Sequence, residues 1–106
     1  MSEIILTDQN FEQEVIKSNR LVLVDFWSLT CPPCLILGPI IEEIAKEFED
    51  KAKIGKLNVM ENPETTQKYQ IVAIPTIIIF KNGEAKERET GLRPKQAIVE
   101  KLNSLL

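Results

Sequence analysis

Residues Leu21 to Leu37 read LVLVDFWSLTCPPCLIL, and no other stretch limits the fold of this chain so tightly. The run Leu21-Val22-Leu23-Val24, carried on through Phe26 and Trp27, has strand length and is rich in β-branched and aromatic residues. That is the composition of a strand covered on both faces. Alternation puts Leu21, Leu23, Asp25 and Trp27 on one face and Val22, Val24 and Phe26 on the other. Both faces are otherwise apolar, so Asp25 is predicted to be a carboxyl inside a core. Desolvation there disfavours the charged form and raises the pKa.

Next comes Cys31-Pro32-Pro33-Cys34, which reads as a helix start. With Cys31 as N-cap, Pro32 falls at the first helical position, where its missing N–H has no intrahelical partner to lose. Pro33 removes the next donor, so the first free N–H belongs to Cys34 and points at the Cys31 sulfur. That hydrogen bond and the positive end of the helix dipole both favour thiolate, which predicts a depressed pKa for Cys31 and makes it the attacking thiol. Cys34, followed by Leu35, Ile36 and Leu37, is predicted to be more buried and to resolve. A strand, a buried acid and a dithiol at a helix N-terminus together point to thiol–disulfide chemistry.

Three other readings of the cysteines stay open. A structural zinc site needs about four ligands, and the chain holds two cysteines and no histidine, so carboxylates or a second copy would have to complete it. A purely structural disulfide would close a loop too short to stabilise much through chain entropy. Two inert core cysteines are the third reading, and the paired prolines argue against it.

At 106 residues the chain suits one domain, residues 1–106, long enough to bury a core without disulfide stapling. Its net charge of −3 supplies no basic stripe to neutralise phosphates, so nucleic acid is not an expected partner. The apolar runs are of strand length, which predicts no membrane span, and Met1-Ser2-Glu3-Ile4 does not read as a secretory signal. Two cysteines in this setting suit a catalytic role in a reducing compartment, and the cytoplasm is the expected location. No element points to a stable oligomer, so a monomer is expected.

Along the chain, Glu3 to Leu6 is a short strand. Thr7 or Asp8 then caps a first helix whose inner face carries Phe11, Val15 and Ile16. After the central strand a second helix runs from about Cys34 to Phe48, with Leu37, Ile40, Ile41 and Ile44 at helical spacing; Pro39 either kinks it or splits it in two. Lys53 to Met60 is a strand with Ile54, Lys56 and Asn58 on one face. A lysine in such a strand reads as an exposed edge charge or as a neighbour of a buried acid. Pro63 opens a short helix ending near Tyr69. In Ile71 to Phe80, Pro75 cannot donate to a ladder, so a strand that begins after it fits the residues. Asn82-Gly83 is a hairpin signal, and the polar return strand Glu84 to Thr90 is predicted at an edge. Gly91 reads as a turn glycine, and Pro94 opens a last helix with Ala97, Ile98, Leu102 and Leu105 inward.

Asp25-Phe26-Trp27, Cys31-x-Pro33-Cys34, Ile74-Pro75-Thr76, Lys81-Asn82-Gly83 and Gly91 together resemble the thioredoxin family over essentially the whole chain. The resemblance implies an α/β thioredoxin fold, a central mixed five-stranded sheet flanked by four helices, and disulfide reduction or exchange. It implies Asp25 as the general base for Cys34, acting through a water, with Lys56 beside it. Pro75 is implied to be cis and to pack on the dithiol, while the Ile74 backbone pairs with an extended substrate segment. Thr30, Gly91 and Leu92 border the substrate groove on the same grounds, Trp27 shields the loop, and Pro32 and Pro33 shape it. The implied partners are disulfide-containing proteins and an electron donor, a thioredoxin reductase or a small thiol. No metal and no cofactor beyond the redox-active Cys31–Cys34 disulfide is expected. A thioredoxin-like docking or chaperone module with an incidental dithiol is the alternative.

Two departures lie in the loop: Thr30 stands where the family usually has a second Trp, and Pro32 where it usually has Gly. Leu35 also occupies an often basic position. Pro32 makes the motif look like the Cys-Pro-x-Cys of glutaredoxin-type and tryparedoxin-type proteins, and the expected pair is less reducing than an ordinary thioredoxin. In a glutathione or dithiothreitol buffer, a reduction potential near the roughly −270 mV of thioredoxin would mark a general disulfide reductase, and one nearer the roughly −200 mV of glutaredoxins would show that Pro32 has moved the poise. Pro32→Gly should lower it, and an unchanged or higher value contradicts the expectation.

Overall fold

Five strands, β1 (Ile4–Leu6), β2 (Leu21–Trp27), β3 (Ala52–Asn58), β4 (Thr76–Lys81) and β5 (Glu84–Thr90), form one sheet in the order β1-β3-β2-β4-β5. The computed structural model describes residues 2–106. β2 runs parallel to β3 and antiparallel to β4, and every residue of it except Trp27 is buried. Parallel neighbours need a crossover, and α1 (Pro32–Glu47) supplies it between β2 and β3. The helices α2 (Pro63–Lys68) and α3 (Lys95–Leu105) follow β3 and β5.

The two faces of β2 feed two cores. Leu21 and Leu23 pack with Leu37, Ile41 and Ile44 of α1 and with Ile98 and Leu102 of α3. Val22, Val24 and Phe26 pack on the other side with Leu6, Phe11, Val15, Leu57 and Phe80, where Phe11, Tyr69 and Phe80 form an aromatic triangle with ring centroids 5.4–5.7 Å apart. Both alternation patterns predicted for β2 and β3 are present in these cores.

Several expected elements differ in detail. The first helix is a single wide turn, Glu12–Ile16, closed by the Lys17 N–H donating to the Glu12 carbonyl at 2.8 Å. Thr7 does cap this region, exchanging hydrogen bonds with Asn10: the Thr7 N–H donates to Asn10 Oδ1 (2.8 Å) and the Asn10 N–H to Thr7 Oγ1 (3.2 Å). α1 passes through Pro39 as one helix. The proline sits on the exposed side of the helix, where it removes one backbone donor. β3 ends at Asn58, and Met60 is 76% exposed outside the ladder. β4 begins at Thr76, after Pro75. Asn82 (φ 53°) and Gly83 (φ 80°) both take the left-handed conformation of a type I′ hairpin, and β5 is the sheet edge. Pro94 is the cap of α3, and the helix itself starts at Lys95.

Asp8, a candidate cap for its own helix, caps a different one. Its carboxylate accepts from the backbone N–H groups of Glu64 (3.2 Å) and Thr65 (2.9 Å) and from Thr65 Oγ1 (2.7 Å), at the start of α2. In return the Asp8 N–H donates to Asn62 Oδ1 at 2.9 Å. Partial burial pulls the Asp8 pKa up, but these hydrogen bonds outweigh it and hold the value below the ordinary 3.8. A lowered carboxyl pKa contributes stability above the unfolded value, and that contribution is lost as pH falls through the folded one. Loss of a capping carboxylate typically costs about 1 kcal/mol. Urea denaturation of Asp8→Ala should therefore show a loss of about that size at pH 7, shrinking as the pH is lowered below 4.

Candidate active site

α1 begins at Cys31, whose backbone is extended (φ −115°, ψ 100°), with Pro32 and Pro33 in the first two helical positions. The Cys34 N–H donates to Cys31 Sγ at 3.2 Å, and the Leu35 N–H donates to the Cys31 carbonyl at 3.2 Å. Every donor of the first turn is thereby removed by proline or directed at Cys31. Cys31 and Cys34 are disulfide-bonded with their Cα atoms 5.2 Å apart. Cys31, 8% exposed, is the outer sulfur residue, and Cys34 is 2% exposed.

The loop ahead of β4 closes against this pair. The Ile74–Pro75 peptide is cis, Pro75 is buried, and the Ile74 carbonyl oxygen lies 3.7 Å from Cys31 Sγ. The Gly91 N–H donates to the Pro75 carbonyl at 2.8 Å. Gly91 has φ 96°, a conformation that a residue with a Cβ adopts only under strain, so glycine here is more than a plain turn residue. Thr30 is exposed, its Oγ1 3.3 Å from Oγ of Ser28. Ser28, 2% exposed, was not singled out by the sequence. Leu92, next to Gly91 in the chain, is 43% exposed. Pro32 and Pro33 are exposed, and the loops meeting here also expose Leu29 and Val72.

Asp25 is fully buried, and neither carboxyl oxygen has a hydrogen-bond partner. Its strand register places it beside Lys56 of β3 and Ile77 of β4. The Lys56 ammonium stands 4.4 Å from the centroid of the half-buried Trp27 ring, and a Cβ on Gly38 of α1 would come within 3.9 Å of it. Gly38 is one helical turn beyond Cys34, so Asp25, Lys56, Trp27 and the first turns of α1 share one side of the sheet. Lys56 is thus half-buried near the acid and is not an edge charge. Burial pushes the Asp25 carboxyl from 3.8 up to about 7; Lys56 acts against the rise and Glu3 adds to it. Glu3, read from the sequence only as the start of the first strand, precedes β1 and lines a crevice with Glu42 and Lys46 of α1. Among the described residues no three His, Cys, Asp or Glu side chains gather as a metal site, and no helix is long and apolar enough to cross a membrane.

An acid whose folded pKa is raised binds its proton more tightly in the native state. The native state therefore loses stability as pH rises from the unfolded pKa near 4 to the folded value of about 7. Asp25→Asn removes that dependence. Denaturation of the variant should give a gain on the order of a few kcal/mol at pH 8 and little gain at pH 4.

A family model described as Thioredoxin matches residues 2–104. The chain is 52% identical to the Thioredoxin of Rickettsia bellii (strain RML369-C) over 99 residues, 93% of this chain and 94% of that one. It is 50% identical to Thioredoxin 2 of Chlorobaculum tepidum, covering 92% of this chain and 89% of the relative. It is 48% identical to the Thioredoxin of Buchnera aphidicola from Acyrthosiphon pisum, covering 97% and 96%. With that match, the five-stranded sheet and a cysteine pair seated for disulfide exchange, the chain belongs to the thioredoxin family and is a thiol–disulfide oxidoreductase.

Proposed function

We propose that this protein reduces protein disulfides with Cys31 as the attacking thiol and Cys34 as the resolving one. One observation carries the assignment: the Cys34 N–H points at Cys31 Sγ from 3.2 Å at the positive end of α1. In the reduced protein that donor and the helix dipole favour thiolate at Cys31 and do nothing comparable for the inner Cys34. The Cys31 thiolate attacks one sulfur of a substrate disulfide; a mixed disulfide forms and the other substrate sulfur leaves, taking up a proton. Cys34 then gives its proton to Asp25, through a water, and attacks Cys31 Sγ. The Cys31–Cys34 disulfide closes and the second substrate thiol departs, so the substrate gains two electrons and two protons.

Asp25 suits this task because a carboxyl that titrates at about 7 is both a sufficient base and a ready acid near neutrality. Lys56 moderates the rise in its pKa, and Trp27 holds that lysine and covers the loop. An extended substrate segment pairs with the Ile74 backbone next to Pro75, flanked by Thr30, Gly91 and Leu92. The proximity of the Ile74 carbonyl to Cys31 Sγ supports this placement. Pro32 and Pro33 fix the helix start under the sulfur. The protein acts as a monomeric single domain, residues 1–106, in the cytoplasm, with no bound cofactor beyond its own disulfide. A thioredoxin reductase or a small thiol returns it to the dithiol form.

Two single substitutions test the assignment. Cys31→Ser should abolish insulin reduction. Cys34→Ser should accumulate a mixed disulfide with the substrate, visible by mass spectrometry under non-reducing conditions. Trapping by Cys31→Ser and none by Cys34→Ser would reverse the roles, and trapping by neither would sink the proposal.

A further inference from the structure

The residue entering β1 brings a second carboxyl to the side of the sheet that holds Asp25. Ile4 and Leu6 pack into the Phe11 core, so Glu3 and Ile5 face the opposite way, towards α1. The registers align Ile5 with Lys56 and Lys56 with Asp25; Glu3 immediately precedes β1 and lines a crevice with Glu42 and Lys46 of α1. Glu3 is half-buried, its Oε2 is enclosed, and that oxygen accepts no hydrogen bond. On the α1 side of the sheet, Asp25, with neither oxygen bonded, and Glu3, with one oxygen enclosed and unbonded, thus lie on either side of β3, which offers that face the ammonium of Lys56.

We propose that Glu3 is a positioning residue of the active site: its carboxylate, acting across the shared Lys56, sets the protonation of Asp25. The proposal rests on the reading of Asp25 as proton acceptor. Two like charges facing one cation compete for it, and in a poorly solvated site the ionisation of one opposes that of the other. The direction agrees with the contribution of Glu3 to the elevation at Asp25. The other charged groups near this face do not replace it. Glu42 and Lys46 of α1 line the crevice with Glu3 but pair with each other at 4.0 Å. β4 presents Ile77, and β2 flanks Asp25 on its own face with Leu23 and Trp27. The cysteines at the start of α1 are disulfide-bonded.

The test follows the Asp25 carboxyl carbon by NMR as a function of pH in the wild type, Glu3→Gln and Glu3→Leu, alongside the pH profile of insulin reduction. The Leu variant removes the polar group altogether and keeps the test usable if the Gln variant is unstable. The Asp25 midpoint should move to lower pH by roughly half a unit or more in both, and the rate profile should follow it. Glu3→Asp, which retains the charge, should recover part of the shift. An Asp25 midpoint that stays in place in both folded variants overturns the proposal. A midpoint that moves while the rate profile does not supports the coupling and instead removes Asp25 as proton acceptor, an outcome that Asp25→Asn with a wild-type rate profile would confirm independently.

Discussion

β2 is covered on both faces and flanked along both edges, and each layer of the structure is built against its seven residues. A strand in that position tolerates no slip: a shift of one residue would carry Phe26 under α1 and turn Asp25 into the aromatic core. The register is therefore enforced by apolar packing on two sides at once. The chemistry inherits that constraint, because the same register puts Asp25 level with Lys56 and delivers the chain into Cys31. Packing fixes where the acid is, and the acid is the least comfortable group in the packing.

In the proposed mechanism that discomfort has a use. A carboxyl closed against a lysine would be held ionised well below neutrality and would make a poor proton acceptor. Here the Lys56 ammonium is drawn over the Trp27 ring, so it tempers the cost of burying Asp25 without neutralising it. The half-buried aromatic at the end of β2 is in this sense an electrostatic part of the site. Stability is given up at the acid and recovered elsewhere, in the two apolar cores and in tethers such as the Asp8 cap of α2.

What was legible in the sequence was what depends on local chemistry. The alternation of Leu23 against Val24, the sulfur cap at Cys31, the I′ turn at Asn82-Gly83 and the stop at Pro75 follow from side-chain period, missing donors and positive φ, all written in a few adjacent residues. What was not legible depends on partners far apart in the chain. Nothing near Asp8 announces that its carboxylate belongs to a helix that starts at residue 63. Ser28 looks like an ordinary loop serine until its burial is known. Glu3 reads as a terminal charge until the fold brings it into a crevice with Glu42 and Lys46 of α1. Lys56 itself was ambiguous between an edge charge and a site residue, because alternation assigns a face and says nothing of which strand lies next to it.

The departures at the dithiol loop fall where the helix start can absorb them. The N-cap side chain draws on the second and third N–H groups of a helix and makes no use of the first, so Pro32 removes a donor that the Cys31 sulfur would not receive. Pro33 removes the second, which leaves the Cys34 N–H as the backbone donor of the first turn aimed at the Cys31 sulfur, while the Leu35 N–H goes to the Cys31 carbonyl. The attacking position and the resolving residue are thus tied through one hydrogen bond: the backbone that favours thiolate at Cys31 is the backbone of Cys34. In the proposed mechanism, any motion of α1 that displaces Cys34 towards Cys31 also alters the bond that favours thiolate at the outer sulfur. Thr30, exposed and bonded only to Ser28, lies outside this arrangement, and its replacement of a large aromatic reshapes the approach to the sulfur and leaves the helix start intact.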